Sequence, residues 1–62
     1  MKITVKSIRI TCGYSIEKMA EKLEISPRTY AFYERHPYFI PVNVAVKISA
    51  IGNISLDYIF FD

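Results

Sequence analysis

Three kinds of side chain in this sequence have the means to do chemistry, and two of them stand alone. His36 is the one histidine and Cys12 the one cysteine. Neither has a partner at the spacing that a metal site or an activated nucleophile requires, and no glycine-rich loop is present to cradle a phosphate. The reading is a protein that is not an enzyme, with no metal, no cofactor and no small-molecule ligand. Cys12 is then a small packed hydrophobe and His36 a loop residue. The third kind is arginine mixed with aromatic rings, concentrated in SPRTYAFYERHPYF from Ser26 to Phe39. In a chain of 62 residues those rings either fill the core or meet a partner.

Their placement follows from the elements around them. Ser26 is a helix cap and Pro27 suits the first helical position, where its missing N–H costs nothing. Steps of about 100° per residue put Tyr30 and Tyr33, with Thr29, on one side of that helix. Arg28, Ala31, Phe32 and Arg35 fall on the other. The tyrosines are expected in the core, their hydroxyls reaching its edge. Phe32, sharing an outward face with two arginines, is expected to contact a partner; the plainer reading packs it against the following loop.

Other periods surround this helix. Val5, Ile8 and Cys12 mark a first helix that stops at Gly13, its start left open by the β-branched Ile3 and Thr4. Ser15 caps a second, with Ile16, Met19, Ala20 and Leu23 on its apolar face and Glu17, Lys18, Glu21 and Lys22 in water. About three residues separate it from the third. The segment His36 to Pro41 reads as a loop, because each proline disfavours helical geometry in the residue before it. A fourth helix begins near Val42 or Asn43, runs a stripe of Val44, Ile48 and Ile51 with Ala45 beside it, and ends at Gly52 and Asn53. Ser55 caps a fifth, reaching about Phe60, with Asp57 in its first turn. The expectation is five short helices and no strand.

Composition sets the bounds. Half the chain is apolar, 52% with only two glycines, which favours a folded globule over disorder. A domain this small buries only roughly 60% of its unfolded surface, so a dimer would add needed stability. No apolar run reaches the roughly 18 residues of a membrane span. A single cysteine and no secretory signal pattern point to the cytoplasm. Net charge is only +2, yet Lys2, Lys6 and Arg9 face no acid in the first fourteen residues while Asp57 and Asp62 close the chain. That asymmetry favours nucleic acid on one side.

The helix, tight turn, helix unit from Ser15 to Arg35 resembles the Cro and phage-repressor (XRE-like) family of helix-turn-helix DNA-binding proteins. IRITCGYSIEKMAEKLEISPRTYAFYE is similar to that family's first three helices, and VKISAIGNISLDYIF to its last two. Ala20 stands where the family keeps a small residue under the crossing helix, Ile25 at its apolar turn position, and Leu56-Asp57 at a recurrent pair. The resemblance implies a compact, all-α, five-helix lambda-repressor-like domain over residues 1–62, with the helix-turn-helix at helices 2 and 3. It also implies a salt bridge between Arg9 and Glu34, and a recognition helix, about 26–35, in the major groove of double-stranded DNA.

Carried over residue by residue, the base-contacting positions are Pro27, Arg28, Ala31 and Phe32, the same face that helical angles give. A guanidinium such as that of Arg28 bonds guanine O6 and N7 together. Ser26, Arg35, Lys47 and Lys6 are the implied backbone contacts, which position without reading sequence. A homodimer on an inverted repeat is implied, acting as a repressor-like transcriptional regulator. Leu56, Tyr58, Ile59, Phe60 and Phe61 cannot all turn inward from one short helix, and Tyr58 and Phe61 are the expected exposed pair at the dimer interface.

Three positions depart from the family's pattern. Ile16 replaces a phosphate-anchoring glutamine, and Glu24 replaces the turn glycine that tolerates positive φ. The third departure is the loop Pro37 to Ile40, apolar where the family is often basic. Tyr38 and Phe39 there would suit a protein partner, giving the rival reading of a helix-turn-helix used as a protein-binding module such as an antirepressor. RNA is disfavoured, since no aromatic sheet platform or glycine clamp loop is evident.

Overall fold

The computed structural model describes residues 2–61. Among them lie four α-helices, α1 (Val5–Thr11), α2 (Ile16–Leu23), α3 (Pro27–Arg35) and α4 (Val42–Gly52). Two short strands flank them, β1 (Ile3–Thr4) and β2 (Ile59–Phe60).

The first three helices each start where a side-chain oxygen replaces a missing backbone acceptor. The N–H of Ser7 donates to Thr4 Oγ1 at 3.1 Å, that of Lys18 to Ser15 Oγ at 3.0 Å, and that of Thr29 to Ser26 Oγ at 3.1 Å. Such caps are each worth about 1 kcal/mol. Thr4 thus settles the start of α1. The fourth helix has no side-chain cap and begins after Pro41. Its far end turns through Asn53 at φ 52°, a left-handed conformation that asparagine accepts more readily than most residues.

Val5, Ile8, Met19, Ala20, Leu23, Tyr30, Val44, Ile48 and Ile59 form one buried cluster drawn from α1, all the other helices and β2. Fully burying a side chain the size of Leu23 or Ile48 contributes about 1.5–3 kcal/mol. Ala20 is wholly buried where α2 meets α3, and a larger residue there would push the two helices apart. Gly52 plays the same part between α4 and α1, since a Cβ on it would stand 2.7 Å from Ile8 Cγ2.

The end of the chain departs from expectation. Among the described residues there is no fifth α-helix: Leu56–Tyr58 make a single 3-10 turn, capped by Ser55 Oγ, and Ile59–Phe60 then run as a strand. That strand pairs in parallel with β1, Ile3 opposite Ile59 and Thr4 opposite Phe60. A helix from Leu56 to Phe60 would offer little more than one turn against the cost of nucleation. Ile59 and Phe60 fit an extended backbone better, and β1 supplies partners for their amides. The expectation of no strand fails for the same reason.

Strand alternation then decides which large side chains face water. Ile59 is buried, Phe60 is exposed, and Phe61 packs against the core. The expectation that Phe61 is exposed is therefore corrected, whereas Tyr58, on the preceding turn, is 57% exposed. Leu56 joins it on the outside.

Candidate nucleic-acid interface

The unit that presents α3 is built from a turn under local strain. Glu24 closes α2 at φ 60° and ψ 40°, the left-handed region that glycine enters freely and other residues enter at a cost of roughly 1–2 kcal/mol. The conformation is held because the Ile25 N–H reaches back to the Ala20 carbonyl at 3.0 Å and the Ile25 side chain packs on the core. The chain is thereby turned sharply enough for Ser26 to cap α3 immediately. Ser26 Oγ also donates to Thr29 Oγ1 at 2.9 Å, tying down the first turn.

On its inner side α3 is fixed by one buried ring and one carboxylate. Tyr30 is fully buried, with its hydroxyl donating to Glu34 Oε2 at 2.6 Å. Arg9 Nε on α1 donates to the same oxygen at 2.6 Å, and its Nη1 donates to the Tyr14 carbonyl at 2.9 Å. The Arg9 and Glu34 side chains are only 12% and 9% exposed. Their pairing raises the Arg9 pKa further above its ordinary value, the hydrogen bond to Glu34 outweighing the opposing effect of burial. Tyr30 is pushed well above the usual phenol range, first by burial and then by its hydrogen bond to a carboxylate that an anionic oxygen would repel. Arg9 and Glu34, named from the resemblance, are thus brought together, and Tyr30 and the Tyr14 carbonyl complete the group. The spacing of Tyr30 and Glu34, one turn apart on a helix, is the signal that would have revealed the third member.

The outer side of α3 carries Pro27, Arg28, Phe32 and Arg35 exposed, with Ala31 half-buried between them. Ser26 is exposed at the head of the helix. Lys47 on α4 and Lys6 on α1 are also exposed. Phe32 is not a free ring. Its centroid lies 4.9 Å from that of His36 and 5.7 Å from that of Phe39, so the reading that packs it on the following loop holds, yet 39% of it still faces solvent. The loop is no irregular segment either, because Pro37–Phe39 wind into a 3-10 turn. Tyr38 and Phe39 stand 75% and 59% exposed, Tyr38 edge-on to Phe39 at 5.6 Å. Phe32 and His36 stand one helical turn apart, which is the local sign of this packing.

A family model described as helix-turn-helix matches residues 5–59 of this chain. The chain belongs to the helix-turn-helix family, of the XRE type. A helix-turn-helix relative, 31% identical over 61 residues that cover 98% of this chain and 92% of its own length, is an uncharacterized HTH-type transcriptional regulator, YgzD of Bacillus subtilis (strain 168). No solved structure gives a significant match. Membership supports DNA-binding regulation as the coarse function. Among the described residues no helix is long and apolar enough to cross a membrane, and no group of histidine, cysteine or acidic side chains is arranged to hold a metal ion.

Proposed function

We propose that this protein is a cytoplasmic transcriptional regulator that binds operator DNA as a homodimer, with α3 in the major groove of each half-site. The observation that carries this reading is the two-sided character of α3. Its inner face is locked by Tyr30 and the Arg9–Glu34 pair, while its outer face leaves Arg28, Phe32 and Arg35 exposed. A rigidly held helix with a polar and aromatic outer face is what base readout demands, because the side chains must arrive in register without losing further freedom.

In this arrangement Pro27, Arg28, Ala31 and Phe32 meet base edges, Arg28 bidentate to a guanine. Ser26, Arg35, Lys47 and Lys6 hold phosphates. Tyr58, with the exposed Leu56 and Phe60, forms the apolar surface through which two copies meet. The dimer spans two half-sites about 34 Å apart and represses by occupying a promoter. Regulation acts through concentration, competition or a protein partner.

A second reading draws on the exposed Tyr38 and Phe39, rings that suit a protein surface and carry no charge for phosphate. The two readings order two variants oppositely. Operator binding predicts that Arg28→Ala weakens and broadens DNA recognition while Tyr38→Ala leaves it nearly intact. A protein-binding module predicts that neither variant changes DNA retention and that Tyr38→Ala abolishes partner capture.

A further inference from the structure

Phe32 has more support than a base-contacting side chain on a helix needs. One flank of its ring lies on His36, the residue that closes α3, and a second on Phe39 from the 3-10 turn, with Tyr33 edge-on at 6.2 Å. His36 and Phe39 touch each other through rings 6.3 Å apart, so Phe32 leans on a joined pair. The 39% that remains exposed is therefore one fixed apolar surface, one helical turn beyond Arg28. It is bordered by the methyl of the half-buried Ala31.

A rigid apolar ring has one feature to recognise along the major-groove edge of a base pair. That feature is the methyl on C5 of a pyrimidine, since the other groups that project there are hydrogen-bond donors and acceptors or bare ring C–H. We propose that Phe32 is a specificity-determining residue that reads a C5-methyl group in each half-site, and that Phe39 and His36 are positioning residues for its ring. The inference rests on α3 entering the major groove. Thymine and 5-methylcytosine carry the same methyl group in the same place, so a methyl sensor here makes binding responsive to cytosine methylation as well as to sequence.

The test begins with the operator recovered from random duplexes by the intact chain. Each thymine of a half-site is replaced in turn by deoxyuridine, which removes only the methyl, and affinity is followed by fluorescence anisotropy. One position is expected to lose about 4-fold, the equivalent of one buried methyl group. In Phe32→Ala the same replacement has no effect. In Phe39→Ala the methyl dependence shrinks while the salt dependence of binding and the unfolding midpoint stay as they were, which separates positioning from folding. Replacing the thymine·adenine pair by cytosine·guanine, with and without the 5-methyl group, distinguishes the two sources. A gain from methylation shows that the methyl alone is read; thymine dependence without that gain shows a thymine site. A tight, sequence-specific complex indifferent to every deoxyuridine replacement overturns the inference and leaves operator binding standing. Failure to bind any duplex overturns both.

Discussion

The hydroxyl of Tyr30 and Oε2 of Glu34 lie 2.6 Å apart, one turn from each other on α3, and Arg9 of α1 places Nε on that same oxygen. One carboxylate oxygen therefore accepts from a phenol that comes out of the core and from a guanidinium on the neighbouring helix. This is how the outer face of α3 is aimed. Two donors fix the nearly buried carboxylate, Tyr30 from within α3 and Arg9 from α1, and α3 cannot roll without breaking the Arg9 bond.

Removing either charge from this group leaves the other unpaired in a nearly closed site. Arg9→Ala and Glu34→Ala are each expected to cost about 3 kcal/mol, read as a lower midpoint in urea unfolding. Arg9→Lys should recover only part of that loss, because one ammonium cannot serve both Glu34 and the Tyr14 carbonyl with the planar fork that Arg9 uses. Full recovery by lysine would show that charge alone matters at this place.

Tyr30 links the same group to alkaline pH. Folding raises its pKa, chiefly by burial and by the hydrogen bond to Glu34. The contribution of a group whose pKa rises on folding is whole below its unfolded value, about 10 for tyrosine, and declines as pH climbs from there through the folded value. Stability should therefore fall above that pH, and tyrosinate absorbance should show Tyr30 ionising together with unfolding. Tyr30→Phe removes this part of the decline and costs about 2 kcal/mol at neutral pH, the worth of a hydrogen bond to a charged acceptor. An unchanged alkaline profile in the phenylalanine variant would contradict this assignment.

Two positions with opposite backbone demands give opposite responses to small substitutions. Glu24 sits at φ 60°, so Glu24→Gly should stabilise the chain by roughly 1 kcal/mol through relief of left-handed strain. Gly52→Ala should destabilise it, since the new Cβ would press on Ile8 Cγ2 at 2.7 Å. Thermal unfolding followed by circular dichroism reads both. Equal shifts of the same sign would mean that helix propensity outweighs local geometry at one of the two sites.

Base readout and phosphate contact separate by their dependence on sequence and salt. Arg28→Ala should cost about 1–3 kcal/mol on the best operator and relax preference at one base pair. Lys47→Ala should weaken binding uniformly across sequences and lower the salt slope by about 1. Affinities of a panel of single-base operator variants at several salt concentrations decide the matter.

Much of the fold is legible from local signals that tertiary packing has no reason to override. Ser15, Ser26 and Pro27 announce their helices, and the stripe of Val44, Ile48 and Ile51 with Ala45 beside it is the inner face of α4, Ile51 only partly buried. Tyr30 falls inward as helical angles require, and Arg28 outward. The end of the chain is misread because its state depends on a partner far away in sequence. Ile59 and Phe60 become a strand only because Ile3 and Thr4 lie alongside, and nothing local in LDYIFFD records that meeting. The packing of Phe32 on the following loop is legible only as the plainer of two readings, because two prolines mark Pro37–Phe39 as loop and carry no information on how the 3-10 turn folds back onto α3.

If the outer face of α3 reads DNA, selection from random duplexes will enrich one sequence. The intact protein is incubated with the pool at about 0.1 M salt, where phosphate contacts alone retain little, and the bound fraction is sequenced after several rounds. The expected product is an inverted repeat whose half-site centres lie about 34 Å apart. A pool that stays random, with only weak and salt-sensitive retention, would contradict it.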